Sequence, residues 1–367
     1  MVLPDTDPDI ERARWLPPAF YADPEAHALA REKVFARAWH LVFPGPGEPG
    51  SLVPVTLLPG LLDESLLWAT DKRGRSRLLS NACTHRGAIL CDSPRRAVAG
   101  LACPYHGRVF GLDGRCREHG GMGREPEPTW NLPELDAPRA LRALGPLHFA
   151  RLPVEHPSAT WPEPAFLGEL QRRVGFLLAE PHRDDPEGAR VYEVEANWAL
   201  YVENYLEGFH LRWVHPGLSR QVEAESYAYE LFPGGSLQVA SGQDGAGDVA
   251  LPAGHPDAGR RVAAWYFHLF PATFLNVYRW GVSVNVVEPL GPTRCRVRYR
   301  RLVRDATALG EGPGAQLHEV ELEDDRIVAS VAQGYRSRLA TRGRYSLVHE
   351  RAVHHFHRMY IEALGSA

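Results

Sequence analysis

Lysine is almost missing from this chain. Lys33 and Lys72 are its two examples, so nearly all of the 41 basic residues are arginine, a bias we read as genomic. Acidic residues number 45 and the net charge is -4, which leaves no basic field for nucleic acid or an anionic membrane surface. Cysteine is scarce and odd in number, at five, which argues against a disulfide-stapled secreted scaffold. No apolar run reaches the roughly eighteen residues that a membrane-spanning helix needs. The start, Met1 to Ile10, is acidic and carries proline, unlike a secretory signal. No internal repeat or low-complexity tract stands out. These absences point to a cytoplasmic globular protein. A length of 367 residues, 44% of them hydrophobic, suffices for two domains with their own cores.

The pattern changes along the chain. Residues 1–37 read as an arm and a helix, with Asp23-Pro24-Glu25 as the start signal and an apolar stripe over Ala26 to Ala38. Residues 38–152 read as a small all-β domain of short strands and tight turns. Leu66–Thr70 and Arg75–Leu79 flank the turn Asp71-Lys-Arg-Gly74, and Gly111-Leu-Asp-Gly114 makes another. A proline-rich linker follows at 153–165, with Pro157, Pro162 and Pro164. The rest, to residue 367, mixes strands and helices. A helix is expected over Asn197–Val214. Strands are expected over Trp265–Phe270, Thr273–Val287 and Arg294–Val303, forming an antiparallel sheet. Two late helices span Ala315–Leu339 and Val348–Leu364. The fold class is α+β, with the all-β domain first.

Chemistry-bearing residues gather in Glu203-Asn-Tyr-Leu-Glu207-Gly-Phe-His210-Leu-Arg-Trp-Val-His215-Pro216. Glu207 and His210, three apart, share a helix face. His215 would lie roughly 140° further round a straight helix, but the residue before a proline is pushed out of helical geometry. The helix should end near His215 and free its side chain to turn back. Two histidines and a carboxylate make the facial triad of non-haem Fe(II) sites; histidines near a helix end are also common surface or core residues.

The β domain carries a second set. Cys83-Thr-His85-Arg-Gly87 and Cys103-Pro-Tyr-His106-Gly107 each offer one thiolate and one imidazole. A Rieske [2Fe–2S] centre needs two cysteines on one iron and two histidines on the other. Zinc accepts the same donors, but its fingers group a cysteine pair and then a histidine pair. Here each loop is mixed. The glycines permit tight turns close to a cluster.

At these residues the chain resembles the Rieske-type non-haem iron oxygenases, specifically their large (alpha) subunit. The resemblance covers nearly the full length. It rests on the two Cys–His loops, Asn197-Trp198, the stretch from Glu203 to Leu218, and the late helix. It implies a helix-grip α+β catalytic domain after the cluster domain. Respiratory Rieske proteins carry an extra disulfide-forming cysteine in each loop. Ala88 and Tyr105 stand at those positions, so the oxygenase branch is the match. Cys91, Cys116 and Cys295 read as ordinary buried or partly buried residues. One departure is Arg108, where the family commonly has tryptophan, a change bearing on cluster exposure or on the docking face for a reductase.

A third iron ligand should come from the late helix, among Glu321, Glu323, Asp324 and Asp325. Leu317, Val320, Ile327, Val328, Val331 and Tyr335 form an apolar stripe at spacings of three and four, and Asp324 lies on it. A buried aspartate is costly unless paired or metal-bound; a helix that tolerates a half-exposed acid is the alternative. The family's ligand aspartate lies ten residues before a glycine, here Gly334. The expected set is His210, His215 and Asp324.

The resemblance implies more. Glu207 would link the mononuclear iron to a Rieske histidine of the neighbouring subunit in a head-to-tail homotrimer. Ring-hydroxylating members mostly have aspartate there; members acting on carnitine or glycine betaine have glutamate. Asn204 matches a family asparagine near the iron, with capping or packing as its other reading. The implied protein is the terminal oxygenase of a multicomponent system. It takes NAD(P)H-derived electrons from a separate reductase or ferredoxin and uses O₂ to hydroxylate or demethylate a small substrate. A quaternary or N-methylated amine is slightly preferred over an aromatic ring converted to a cis-diol. A non-catalytic Rieske electron carrier is the reading from another class. For substrate contacts, alternation over Asn276–Val284 puts Asn276, Tyr278 and Trp280 on one face, where the two rings hold a cation or pack as core.

Overall fold

The structure is a computed structural model. It describes residues 2–121, 134–135, 140–153, 165–220, 228–242, 247–315 and 317–366. Most of the proline-rich linker lies outside them. Two compact units are present, Met1–Ala38 with Leu144–Pro146 and His156–Ala367, and Trp39–Ala143 with Leu147–Glu155.

The second unit is β throughout. Its strands are β1 (Trp39–Leu41), β2 (Ser51–Leu57), β3 (Glu64–Thr70), β4 (Ser76–Ser80), β5 (Gly100–Ala102), β6 (Val109–Gly111), β7 (Cys116–Glu118), β8 (Ala140–Leu144) and β9 (Leu147–Arg151). They form three three-stranded sheets, ordered β2-β3-β4, β5-β6-β7 and β1-β9-β8. A core of Leu52, Leu67, Leu79, Leu101 and Phe110 also includes Cys83 and Cys103. Both cysteines therefore sit on the inner side of their loops.

The first unit begins with α1 (Pro24–Leu29), capped by Asp23 at the Glu25 and Ala26 N–H groups. The single helix expected to Ala38 is instead α1, a π turn over Ala30–Val34 and a 3-10 turn over Phe35–Arg37. Further on come α2 (Ala165–Leu178), β10 (Arg183–Asp184), β11 (Arg190–Val194), α3 (Trp198–Tyr205), α4 (Leu211–Val214), β12 (Ala228–Phe232), β13 (Gly235–Ala240), β14 (Ala264–Leu269), β15 (Thr273–Tyr278), β16 (Gly281–Gly291), β17 (Arg294–Val303), α5 (Leu317–Tyr335) and α6 (Arg351–Gly365). Among the described residues the sheet has eight strands, antiparallel along β10-β17-β16-β15-β14-β13-β12, with β11 also on β17.

Two expected elements are broken. Thr273–Val287 is a hairpin, because the chain turns at Arg279-Trp280 and Tyr278 pairs with Gly281. Gly281 has φ of 146°, and a Cβ there would lie 2.2 Å from the Leu302 carbonyl oxygen, so a side chain is excluded. Trp280 thus lies in the turn, outside the strand alternation that relates Asn276 and Tyr278. The expected helix Asn197–Val214 is two helices. The first ends at Tyr205, and Glu207 braces the turn before the second, its Oε2 accepting from the N–H groups of Phe209 and His210.

Asn197 anchors α3. Its Oδ1 accepts the Ala199 N–H, and its Nδ2 donates to the carbonyls of Tyr21 and Pro292. One buried side chain therefore ties the arm, the sheet end and α3 together. Asn197→Ala should lower unfolding free energy by about 2 kcal/mol, a cap loss at the upper end of its range because buried carbonyls are orphaned too. Denaturant titration checks this; a midpoint unchanged from the parent chain would refute the anchoring role.

Two candidate metal centres

The two Cys–His loops of the β unit are built alike. Gly87 N–H returns to the Cys83 carbonyl at 2.8 Å, and Gly107 N–H to the Cys103 carbonyl at 3.1 Å. Each cysteine N–H donates to a carbonyl five residues on, Ala88 at 2.9 Å and Arg108 at 2.7 Å. The two loops bring the His85 and His106 Nδ1 atoms within 3.0 Å. The Cys83 and Cys103 thiols reach each other as well. Burial raises the Cys83 pKa, and Cys103 adds to that. Burial also opposes ionisation of Cys103, but the Tyr105 and His106 N–H groups outweigh it and lower the pKa. Paired sulfurs facing inward and paired imidazole nitrogens at the rim are the donor set of a [2Fe–2S] cluster with mixed ligation. Tyr105 stacks on His106 at 3.7 Å between centroids and is 56% exposed.

Arg108 is not on any docking face. It is 2% exposed and reaches across to Thr84 in the other loop. Cys91 is buried with its thiol on the Ser93 carbonyl, and Cys295 is buried on β17. Cys116, half-buried, touches the Arg108 guanidinium. Its closeness to the cluster loops was not visible in its spacing.

In the α+β unit, His210 caps the start of α4 and His215 ends it, with φ -119° and ψ 70°. The expected exit from helical geometry before Pro216 occurs. His210 Nδ1 donates to Glu207 Oε1 at 2.6 Å, and His215 Nδ1 donates to Glu323 Oε2 at 2.7 Å. In a neutral imidazole that donation leaves Nε2 as the atom offered to a metal. Those Nε2 atoms lie 3.6 Å and 2.9 Å from Asp324 Oδ1. At the shorter distance His215 also bonds that oxygen; burial opposes its protonation, but Asp324 and Glu323 outweigh it and raise its pKa. The donor atoms of His210, His215 and Asp324 converge within 4.8 Å. Two imidazoles and one carboxylate suit a mononuclear non-haem iron. Asn204 Nδ2 donates to Asp324 Oδ1 at 2.6 Å and fixes its orientation.

The buried stripe of α5 is not the expected one. Ile327 and Val331 are exposed, and Glu321 and Val328 are buried. Glu321 is a carboxyl on the inward face, where apolar periodicity could not register it. Burial, reinforced by the Asp324 charge, pushes its pKa up to about 8. It accepts from Tyr201 Oη and from Asn285 Nδ2 at 2.8 Å. From Asn285 the network continues to Ser283, Asn276 and Tyr205. Asn276 thus joins a polar chain that ends at Glu321. Tyr278 and Trp280 instead stack on each other, 5.2 Å between centroids, in a core cluster with Ala240, Ala264 and Val303. Glu323 was missed as a partner of His215; its position directly before the candidate ligand was the available signal. Asp325 points elsewhere, and burial and Asp324 push its pKa up to about 7.

A β unit with paired Cys–His loops and an α+β unit with a His–His–Asp cluster are the two parts of an iron–sulfur oxygenase. Residues 57–132 match the Rieske [2Fe-2S] domain, and residues 185–366 match the Ring hydroxylating alpha subunit (catalytic domain). The chain belongs to the Rieske-type non-haem iron oxygenases, as a large (alpha) subunit carrying a [2Fe–2S] cluster and a mononuclear iron. It is an oxidoreductase, the oxygenase component rather than an electron carrier. It is 27% identical to choline monooxygenase of Arabidopsis thaliana, over 97% of this chain and 85% of that one. It is 29% identical to the carnitine monooxygenase oxygenase subunit of Escherichia coli K12, over 75% and 71%. Among solved structures, a quaternary ammonium Rieske monooxygenase in complex with L-carnitine superposes with a TM-score of 0.73 at 20% identity, covering 97% of both chains. Naphthalene 1,2-dioxygenase from Rhodococcus also gives 0.73, at 17% identity, over 95% and 94%. Among the described residues, no helix is long and apolar enough to cross a membrane.

Asp324→Ala should lower iron from about three to about two per chain, the cluster pair remaining, while Asp325→Ala keeps the full complement. Metal analysis of both variants checks this. The reverse pattern would mean that the neighbouring aspartate is the ligand.

Proposed function

We propose that this chain oxygenates a small quaternary or N-methylated amine, by hydroxylation or oxidative demethylation. Cys83, His85, Cys103 and His106 hold the cluster, and His210, His215 and Asp324 hold the iron. The observation that carries the site assignment is the pair of imidazoles whose Nδ1 atoms donate to Glu207 and Glu323 while both Nε2 atoms face Asp324. The substrate class is supported by the choline and carnitine enzymes among the relatives and by glutamate rather than aspartate at position 207. A second reading, aromatic ring dihydroxylation, draws support from the fold match to naphthalene dioxygenase.

When bound, the cluster supplies electrons one at a time and the iron activates O₂. The chain's own residues set the geometry. Glu207 takes the His210 Nδ1 proton on one oxygen and two backbone N–H groups on the other, so its carboxylate is held in one orientation. We assign it as the bridge by which electrons cross from a cluster histidine of a neighbouring copy, in a head-to-tail homotrimer. A related quaternary ammonium enzyme has been described with inter-subunit electron transfer, which supports this. Asn204 holds Asp324 against the two imidazoles. Asn276 belongs to the polar chain reaching Glu321 and is the substrate-contact residue we retain; Tyr278 and Trp280 pack as core.

Residues 38–152 are assigned to the cluster domain and 153–367 to the catalytic domain, with 1–37 an arm on the latter. Met1–Ala38 belongs to the same compact unit as His156–Ala367, which supports the last point. The protein works in the cytoplasm with a separate reductase or ferredoxin.

Glu207→Gln should keep both centres filled yet slow cluster reoxidation in a single turnover by roughly 10- to 100-fold, the usual cost of losing a carboxylate behind a ligand histidine. Stopped-flow absorbance reads this directly; a parent-like rate excludes the bridge. In the same assay choline, carnitine or glycine betaine should trigger reoxidation with an oxygenated product. A response confined to naphthalene or aromatic acids would favour the second reading.

A further inference from the structure

The two cluster loops differ at the fifth position after the cysteine, Ala88 in one and Arg108 in the other. Their backbones act alike, each carbonyl closing onto its own cysteine N–H. The Arg108 side chain then crosses to the opposite loop. Its Nη1 donates at 2.6 Å to Oγ1 of Thr84, the residue between Cys83 and His85. Its Nε donates to Cys116 Sγ at 3.3 Å, and its guanidinium carbon lies 5.1 Å from the Phe110 ring centre. A guanidinium stays protonated at any working pH. A permanent positive charge is therefore enclosed beside both loops, and its field acts on Cys83, Cys103 and His85.

We propose that Arg108 sets the reduction potential of the [2Fe–2S] cluster, as an enclosed cation that favours the reduced form. Reduction takes one electron from the partner reductase and turns one ferric ion ferrous; no bond forms or breaks. The cluster gains one negative charge, and a fixed cation out of water stabilises that charge far more than an exposed one would. Cluster charge, hydrogen bonding and exposure are the levers of such potentials. A higher potential eases loading by the reductase and leaves less driving force for passing the electron on. Arg108 is thus a tuning residue, acting through the cluster and touching no substrate. The inference rests on the assignment of Cys83, His85, Cys103 and His106 as cluster ligands.

The test uses the full, iron-loaded chain and its variants Arg108→Gln, Arg108→Lys and Thr84→Val. Potentials are read by mediated spectroelectrochemical titration, with iron, acid-labile sulfide and EPR signature measured on each sample. Arg108→Gln should reduce the equilibrium constant for cluster reduction at least about tenfold, or ~59 mV for a one-electron couple. Arg108→Lys keeps the charge and should stay within about twofold of the parent, as should Thr84→Val, which removes only the cross-loop hydrogen bond. A glutamine variant within about twofold of the parent overturns the proposal. So does a valine variant that shifts as far as the glutamine one. If the glutamine variant retains no cluster, lysine decides: a tenfold fall with the charge kept refutes the electrostatic role. A parent chain without the sulfide and EPR signature of a histidine-ligated cluster would overturn the ligand assignment instead.

Discussion

The catalytic unit depends on a convergence. Two imidazoles and a carboxylate are aimed at one another, and each is held there by a partner behind it. Glu207 and Glu323 accept from the Nδ1 atoms, and Asn204 grips Asp324. The three donor atoms lie within 4.8 Å of one another, and a divalent cation among them would take the place of the His215–Asp324 hydrogen bond. The neighbouring elements serve this constraint. Asn197 fixes the start of α3, Glu207 braces the turn into α4, and Pro216 ends the segment that carries both histidines.

The β unit solves a related problem with different parts. Two short loops of the same backbone form deliver two sulfurs inward and two nitrogens outward. The sequence motif is strong because it specifies both the donors and the glycines that let each loop close. Arg108 shows how a single position can vary inside that frame without changing the frame itself.

What could be read from the residues followed from how local the determinants were. The Cys–His loops are written in contiguous sequence, so their pairing was legible. The break before Pro216 followed from backbone sterics at one residue. Asp324 was reached by a stripe that is partly wrong, since Ile327 and Val331 face outward and the buried position 321 holds an acid that apolar periodicity does not register. The position survived because Val328 lies four residues after Asp324 and keeps the same phase. Hairpin formation at Arg279-Trp280 was not legible, because β-branched and aromatic residues run on both sides and the need for glycine at 281, where a Cβ would meet the Leu302 carbonyl, comes from a distant strand. Glu323 reads in sequence as a candidate ligand rather than as a partner of His215, because that histidine is 108 residues away.

The iron donors rest on supports of unequal stiffness. Asp324 projects from the middle of a nineteen-residue helix, whose backbone ladder makes it a fixed post. Both histidines flank a four-residue helix that is tied down from outside its own ladder, by Glu207, by Glu323 and by the Tyr229 hydroxyl on the Gly208 N–H. One post is thus fixed by backbone and the other by side chains. Substitutions at those side chains reach the histidines and leave the long helix as it is.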